Sequence, residues 1–177
     1  MTDHHDHEAP EEVMWQGRFI TTKRKGRWEY VGRARGIEAG VILALVDDYV
    51  LLVEQYRVPL GANCLELPAG LIGDEDANEA PIEAAARELE EETGYRAGMI
   101  EDMGRFYSSP GMVSESYHLF RATDCVRISD GGGVGGEEII VHRVPLREIS
   151  VFVDKKRAEG CAMDGKLLMI MGAEMMG

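Results

Sequence analysis

The feature that most restricts this chain is a crowd of carboxylates at the wrong end of a helix. Arg87-Glu88-Leu89-Glu90-Glu91-Glu92-Thr93-Gly94 closes a segment of helical pattern. Gly94 ends it as a left-handed C′ residue. Asn78 can cap its start, Pro81 suits the first turn, and Glu79 and Glu83 suit the positive end of the dipole. Ile82, Ala85, Ala86 and Leu89 recur at helical spacing and are expected to face a core. The last turn already carries partial negative charge, so four acidic residues there oppose the dipole. Glu88, Glu91 and Glu92 stand at i, i+3 and i+4 and share one face, where each like-charged pair costs roughly 0.2–0.5 kcal/mol. Solvent and salt can offset this on a wet face. A divalent cation offsets it outright, and hard oxygen donors suit Mg²⁺ or Mn²⁺.

Around this helix the pattern reads as one α+β domain. Residues 1–12 are acidic and His-rich and read as a flexible tail, with 13–177 as the domain. Two short antiparallel strands fit Trp15 to Tyr30. Val41–Val46 and Tyr49–Gln55 form a hairpin about Asp47-Asp48. Pro59–Asn63 and Glu66–Asp76 read as loops. Further strands fit Met99–Ser108, Tyr117–Ala122 and Ile139–Val144. Ser129–Gly136 is too glycine-rich to hold structure alone and reads as a mobile loop. Helices follow over Leu146–Glu159 and Asp164–Met175, the latter a Met-rich amphipathic segment.

The 177 residues carry 19 basic and 32 acidic side chains, a net charge of −13, which disfavours binding along a nucleic-acid backbone. A small anionic substrate stays open, because a bound cation inverts the local field. No apolar run is long enough to span a membrane, and the first residues lack the basic and apolar regions of a signal peptide. Cys64, Cys125 and Cys161 form no C-x-x-C pair, so a reducing cytoplasm is the expected setting. His4, His5 and His7 could take up stray metal, although a solvated tail is the plainer reading.

Spacing sharpens the metal reading. Gly73, Glu79, then Arg87-Glu88-Leu89-x-Glu91-Glu92-x-Gly94-Tyr95 match a signature of nine constrained positions over 23 residues. In this the chain resembles the Nudix hydrolases. The resemblance implies an α/β/α sandwich with a mixed sheet, and a loop–helix–loop that holds Mg²⁺ against a diphosphate. It implies that Glu88, Glu91 and Glu92 are metal ligands and that Arg87 pairs with Glu79 to brace the helix. Two glycines are candidates to open the loop. Gly73 lies 14 residues before Arg87, and Gly70, in Pro68-Ala69-Gly70, lies 17 before it. The Ala69 carbonyl is a further ligand by resemblance to ADP-ribose hydrolases.

Words outside the signature bear on substrate. Pro110 falls 16 residues after Gly94, within Ser108-Ser109-Pro110-Gly111, an offset that resembles the ADP-ribose pyrophosphatases. Glu54-Gln55-Tyr56-Arg57, Glu66-Leu67-Pro68-Ala69-Gly70 and Ser114-Glu115 resemble the same subfamily. Gly131-Gly132-Gly133-Val134, Glu137-Glu138-Ile139 and Met163-Asp164-Gly165-Lys166 resemble a GDP-mannose-hydrolysing branch instead. For the catalytic base, Glu137, Glu138 and Glu115 are the candidates, since Gly135 stands where some ADP-ribose hydrolases carry a glutamate. For the substrate, Arg57 is expected at the diphosphate or terminal ribose. Arg18 and Phe19 fall near positions that hold adenine across a homodimer in such enzymes, and Trp15 and Trp28 are further aromatic candidates. The expected activity is Mg²⁺-dependent hydrolysis of ADP-ribose, with GDP-mannose or another nucleoside diphosphate sugar as the alternative. A nucleotide-binding module without catalysis is the alternative of another class.

Overall fold

The computed structural model describes residues 5–34, 37–73 and 79–176. Asn78, the expected cap, and His4 lie outside them. Three strands, not two, open the described chain: β1 (Glu11–Gln16), β2 (Ile20–Lys25) and β3 (Trp28–Arg33), in an antiparallel meander. β1 therefore starts inside the stretch expected as tail. All six of its residues are exposed.

The central sheet grows from the predicted hairpin, β4 (Glu38–Val46) and β5 (Tyr49–Arg57). Asp47 turns it with φ +52°, a left-handed conformation that Asp tolerates. β6 (Ala62–Glu66) pairs with the end of β5, and β7 (Ala69–Ile72) lies antiparallel to β4. Both occupy parts of stretches read as loop. Their pairing is tertiary, and Pro68 and Gly70 mask a four-residue strand. Helix α1 (Pro81–Thr93) follows, then β8 (Tyr95–Arg96), β9 (Met99–Tyr107), β10 (Ser116–Thr123), β11 (Val126–Arg127) and β12 (Ile140–Pro145). β10 runs parallel to β4 and antiparallel to β9, while β12 pairs with β5. Helix α2 (Ile149–Ala158), β13 (Ala162–Met163) beside β6, and α3 (Leu168–Met175) complete the chain. Each of the last two helices is entered through a 3-10 turn.

Alternation along the strands sorts the core into two layers. Val41, Val50, Leu52 and Leu119 pack on one face with Ile149, Val153 and Leu167. Ile42, Ala44, Leu51 and Phe120 pack on the other with Ala85 and Leu89 of α1. The result is the expected α/β/α arrangement around a mixed sheet. The buried stripe of α1 differs from the expected one. Ala84, Ala85 and Leu89 are buried, Ala86 is half-buried, and Ile82 in the first turn is 42% exposed. Two adjacent alanines let the helix lie close to β4 and β7, so the stripe begins one turn late. All three cysteines are buried free thiols. Among the described residues no helix is long and apolar enough to cross a membrane.

Leu89 is fully buried between the sheet and α1. Leu89→Ala is expected to cost about 2–5 kcal/mol, read as a lower urea midpoint at unchanged slope.

Candidate active site

Ala80 caps helix α1, its N–H donating to the Glu83 carboxylate at 3.4 Å, and Pro81 fills the first turn. It ends as expected at Gly94, φ +75°, with the Gly94 N–H donating to the Glu90 carbonyl. The acidic end is then satisfied group by group. Gly132 N–H donates to the Glu92 carbonyl at 2.9 Å and Gly133 N–H to the Glu91 carbonyl at 3.0 Å. Ile128 and Ser129 N–H both donate to the Gly94 carbonyl. The glycine-rich stretch read as mobile is therefore docked on the helix end, supplying donors to carbonyls that a helix leaves orphaned. The approach leaves no space for side chains. A Cβ on Gly131 would stand 2.4 Å from the Thr93 carbonyl carbon, and one on Gly94 would stand 2.5 Å from the Ser129 oxygen.

The side chains are partitioned in the same way. Glu90 points off to Arg96, bidentate at 2.7 and 3.1 Å. Arg87 binds both oxygens of Glu79, at 3.1 and 3.3 Å, so the expected brace is present. Its remaining amine reaches Glu88 at 3.1 Å and Glu91 at 3.2 Å. Three carboxylates thus hold the guanidinium above its ordinary pKa, the Glu79 hydrogen bond first among them. Glu92 is 5% exposed and accepts one backbone N–H, from Ala69, at 3.0 Å. Burial, opposed by that N–H and reinforced by the charges of Glu88 and Glu137, pushes its carboxyl up to about 8. Glu88 lies directly on β7: a Cβ on Gly70 would stand 1.9 Å from its carboxyl carbon. Gly70, and not Gly73, is the glycine that lets the strand meet the acidic helix.

These groups fit a hard divalent cation. Glu88, Glu91 and Glu92 are all oxygen donors, and a cation would offset the burial that raises the Glu92 carboxyl. The Ala69 carbonyl shares its side of the extended strand with the N–H that meets Glu92.

The other expected residues fall into three places. Arg57 forms a bidentate pair with the buried Glu66, at 2.6 and 2.9 Å, and its charge reaches Glu92. Glu137 is exposed and accepts the Val134 N–H at 3.2 Å, close enough to act on Glu92. Glu138 lines a cleft of about 450 Å³ with Glu137, Glu54, Tyr56 and Asn63. Glu115 sits apart, paired with Arg33 at 2.7 Å and with the Ser108 hydroxyl at 3.2 Å. Pro110 lines a cleft of about 520 Å³ with Trp28, Tyr30, Tyr107 and Val113. Arg18 and Phe19 do not line that cleft. They occupy the turn between β1 and β2, where Arg18 lies 5.0 Å from the Phe19 ring and Phe19 is 68% exposed. Glu66 was missed as a partner of Arg57. The signal was a charged residue within the apolar run Cys64-Leu65-Glu66-Leu67.

A NUDIX domain profile matches residues 34–160, and the chain belongs to that family. It is 39% identical over 128 residues to putative nudix hydrolase 2 of Caenorhabditis elegans, covering 62% of this chain and 56% of that one. It is 33% identical to the ADP-ribose pyrophosphatase of Bacillus subtilis, covering 67% and 63%, and 35% identical to the GDP-mannose pyrophosphatase of Pectobacterium atrosepticum, covering 69% and 63%. The chain thus spans less than two thirds of the length of these relatives. A solved ADP compounds hydrolase superposes with a TM-score of 0.66 at 26% identity, covering 82% of this chain and 80% of that one.

Two measurements follow from the geometry. Gly70→Ala is expected to displace Glu88 and to weaken Mg²⁺ binding at least tenfold by calorimetry, with the helix content unchanged in circular dichroism. The raised carboxyl of Glu92 sets a pH dependence in metal-free protein. Between the ordinary carboxylate value and about 8, the native state holds a proton that the unfolded chain has lost. Stability from this group is full at the acid end and is lost as pH rises towards 8. Urea midpoints are expected to fall from pH 5 to pH 8 more steeply in the parent than in Glu92→Gln.

Proposed function

We propose that this chain is a metal-dependent hydrolase that cleaves the pyrophosphate bond of ADP-ribose to AMP and ribose 5-phosphate. The observation that carries the reading is the set Glu88, Glu91 and Glu92 on one helical face, with Glu88 against Gly70 and Glu92 bonded to the Ala69 N–H. A nucleotide-sugar substrate draws support from the names of the relatives and from Pro110, which shares a cleft with three aromatic side chains.

In this reading Glu88, Glu91 and Glu92, with the Ala69 carbonyl, hold Mg²⁺, and Mn²⁺ suits the same donors. Bound metal supplies charge neutralisation of the diphosphate and lowers the pKa of a coordinated water. Arg57, aimed by Glu66, offers its guanidinium to the diphosphate or the terminal ribose. Glu137 takes the proton from the attacking water as the oxygen adds to phosphorus and the bridging P–O bond breaks. To do so it exchanges its Val134 N–H partner for the water, a short movement of a loop rich in glycine. Glu138 and Glu115 are the alternatives for that role, and Glu138 shares the cleft beside Glu137. Trp28 and Pro110 form one wall for the base. Arg18 and Phe19, exposed with the whole of β1, are left to reach adenine in a partner copy of a homodimer. The GDP-mannose alternative keeps the same chemistry and exchanges only base and sugar.

The test is turnover with Mg²⁺ on ADP-ribose, GDP-mannose, NADH and dGTP, with EDTA controls. A preference for ADP-ribose is expected. A preference for GDP-mannose moves the assignment to that branch, and nucleotide binding without products makes the chain a binding module. Glu137→Gln is expected to lower kcat about 10²-fold or more with the fold intact. An unchanged rate moves the base to Glu138 or Glu115.

A further inference from the structure

The turn before β1 brings together groups that diphosphate chemistry does not use. Glu8 N–H donates to the His5 carbonyl at 2.9 Å and Ala9 N–H to the Asp6 carbonyl at 3.3 Å, which closes residues 5–9 on themselves. The closure gathers one donor atom each from His5, His7 and Glu8 within 4.8 Å of one another. The two imidazole rings meet edge to face at 5.7 Å, and His7 Nε2 stands 3.7 Å from a Glu8 carboxylate oxygen. A tetrahedral ion with bonds of about 2.0–2.1 Å sets its ligands about 3.4 Å apart, so that pair is nearly at coordination spacing already.

The turn is also anchored. Asp6 accepts the Arg27 backbone N–H at 3.2 Å and the Arg27 guanidinium at 3.0 and 2.9 Å. The β2–β3 turn is shaped for this contact: a Cβ on Gly26, at φ +57°, would stand 2.3 Å from the Asp6 carboxylate. Residue 6 is therefore seated on folded protein while residues 5, 7 and 8 face solvent together.

We propose that His5, His7 and Glu8 form a second metal site, built by the fold and selective for a divalent first-row transition ion of the Zn²⁺ class. Two imidazoles and one carboxylate favour Zn²⁺, Ni²⁺ or Cu²⁺ and discriminate against Mg²⁺, which seeks oxygen. The all-oxygen set on α1 has the opposite preference, so the two sites sort their ions by donor type. Asp6 and His7 also line the cleft that holds Trp28, Tyr30, Tyr107 and Pro110. An ion there pins the outer wall of that cleft.

The test is calorimetric titration of Zn²⁺ into the full chain under excess Mg²⁺. One Zn²⁺ per chain is expected, with His5→Ala/His7→Ala weakening it about tenfold or more and Glu88→Gln/Glu92→Gln leaving it in place. Zn²⁺ is also expected to slow amide exchange at Glu8 and Ala9, whose N–H groups close the turn. Arg27→Ala, which keeps every donor but loosens the seat, is expected to weaken binding threefold or more and to abolish that protection. Unchanged affinity in the double histidine variant overturns the proposal, as does loss of the Zn²⁺ site in Glu88→Gln/Glu92→Gln. Tight binding by Arg27→Ala, with no protection in the parent, overturns it too, since the ligand would then be an unstructured histidine-rich segment.

Discussion

The structure depends on how the C-terminal end of α1 is neutralised. A helix end presents carbonyl oxygens that already repel anions, and this one adds four carboxylates. The fold meets the backbone part with N–H donors from the segment 128–133 and the side-chain part with Arg87, Arg96 and one N–H of β7. That solution leaves Glu88, Glu91 and Glu92 on one face of the helix. Arg87 divides its donors among Glu79, Glu88 and Glu91, and Glu92 accepts the Ala69 N–H. Like charges on one face cost the helix stability, and a divalent ion in the proposed site would relieve that cost.

Close approach of backbone to backbone makes this possible. Gly70 allows β7 to touch Glu88, and Gly94 and Gly131 allow the capping segment to touch the helix end. A methyl group at Gly94 or Gly131 would meet backbone and force the capping segment off the helix end, whereas one at Gly70 would displace the Glu88 carboxylate. The chain runs on from the capping segment to Glu137 and Glu138. The segment that caps the acidic helix is therefore continuous in sequence with the proposed base, Glu137.

Local chemistry made much of this legible. The helix, its glycine stop and the β4–β5 hairpin follow from spacing, turn residues and alternation, whereas the Arg87–Glu79 pair and the layered sandwich were expected from the family resemblance. What was not legible depended on distant partners. β7 reads as loop because its four residues include a glycine and follow a proline, and its partner in β4 lies some thirty residues away in sequence. The glycine-rich stretch reads as mobile because its hydrogen-bond partners are the orphaned carbonyls of α1. Ile82 was expected inside because periodicity gives the face of a helix but not where along its length the sheet begins. Arg57 was legible as a candidate, but its seat on Glu66 was not, since pairing across β5 and β6 needs the register that the structure supplies.

Two buried glutamates separate scaffold from site. Glu54 on β5 is 6% exposed, and burial pushes its carboxyl up. Hydrogen bonds from Lys156 at 2.7 Å, His142 at 2.9 Å and Asn63 at 3.1 Å outweigh that and hold it at about 2. It is a charge fully compensated from three elements, tying α2 and β12 to the sheet. Glu92 is buried to a similar degree, but burial and the like charges of Glu88 and Glu137 outweigh one N–H and the more distant charge of Arg57, and it rises to about 8. Burial is common to both, so burial alone identifies neither. The difference lies in the partners: Glu54 has its counter-charges built in, whereas Glu92 shares its surroundings with other carboxylates, an arrangement that the proposed cation would complete.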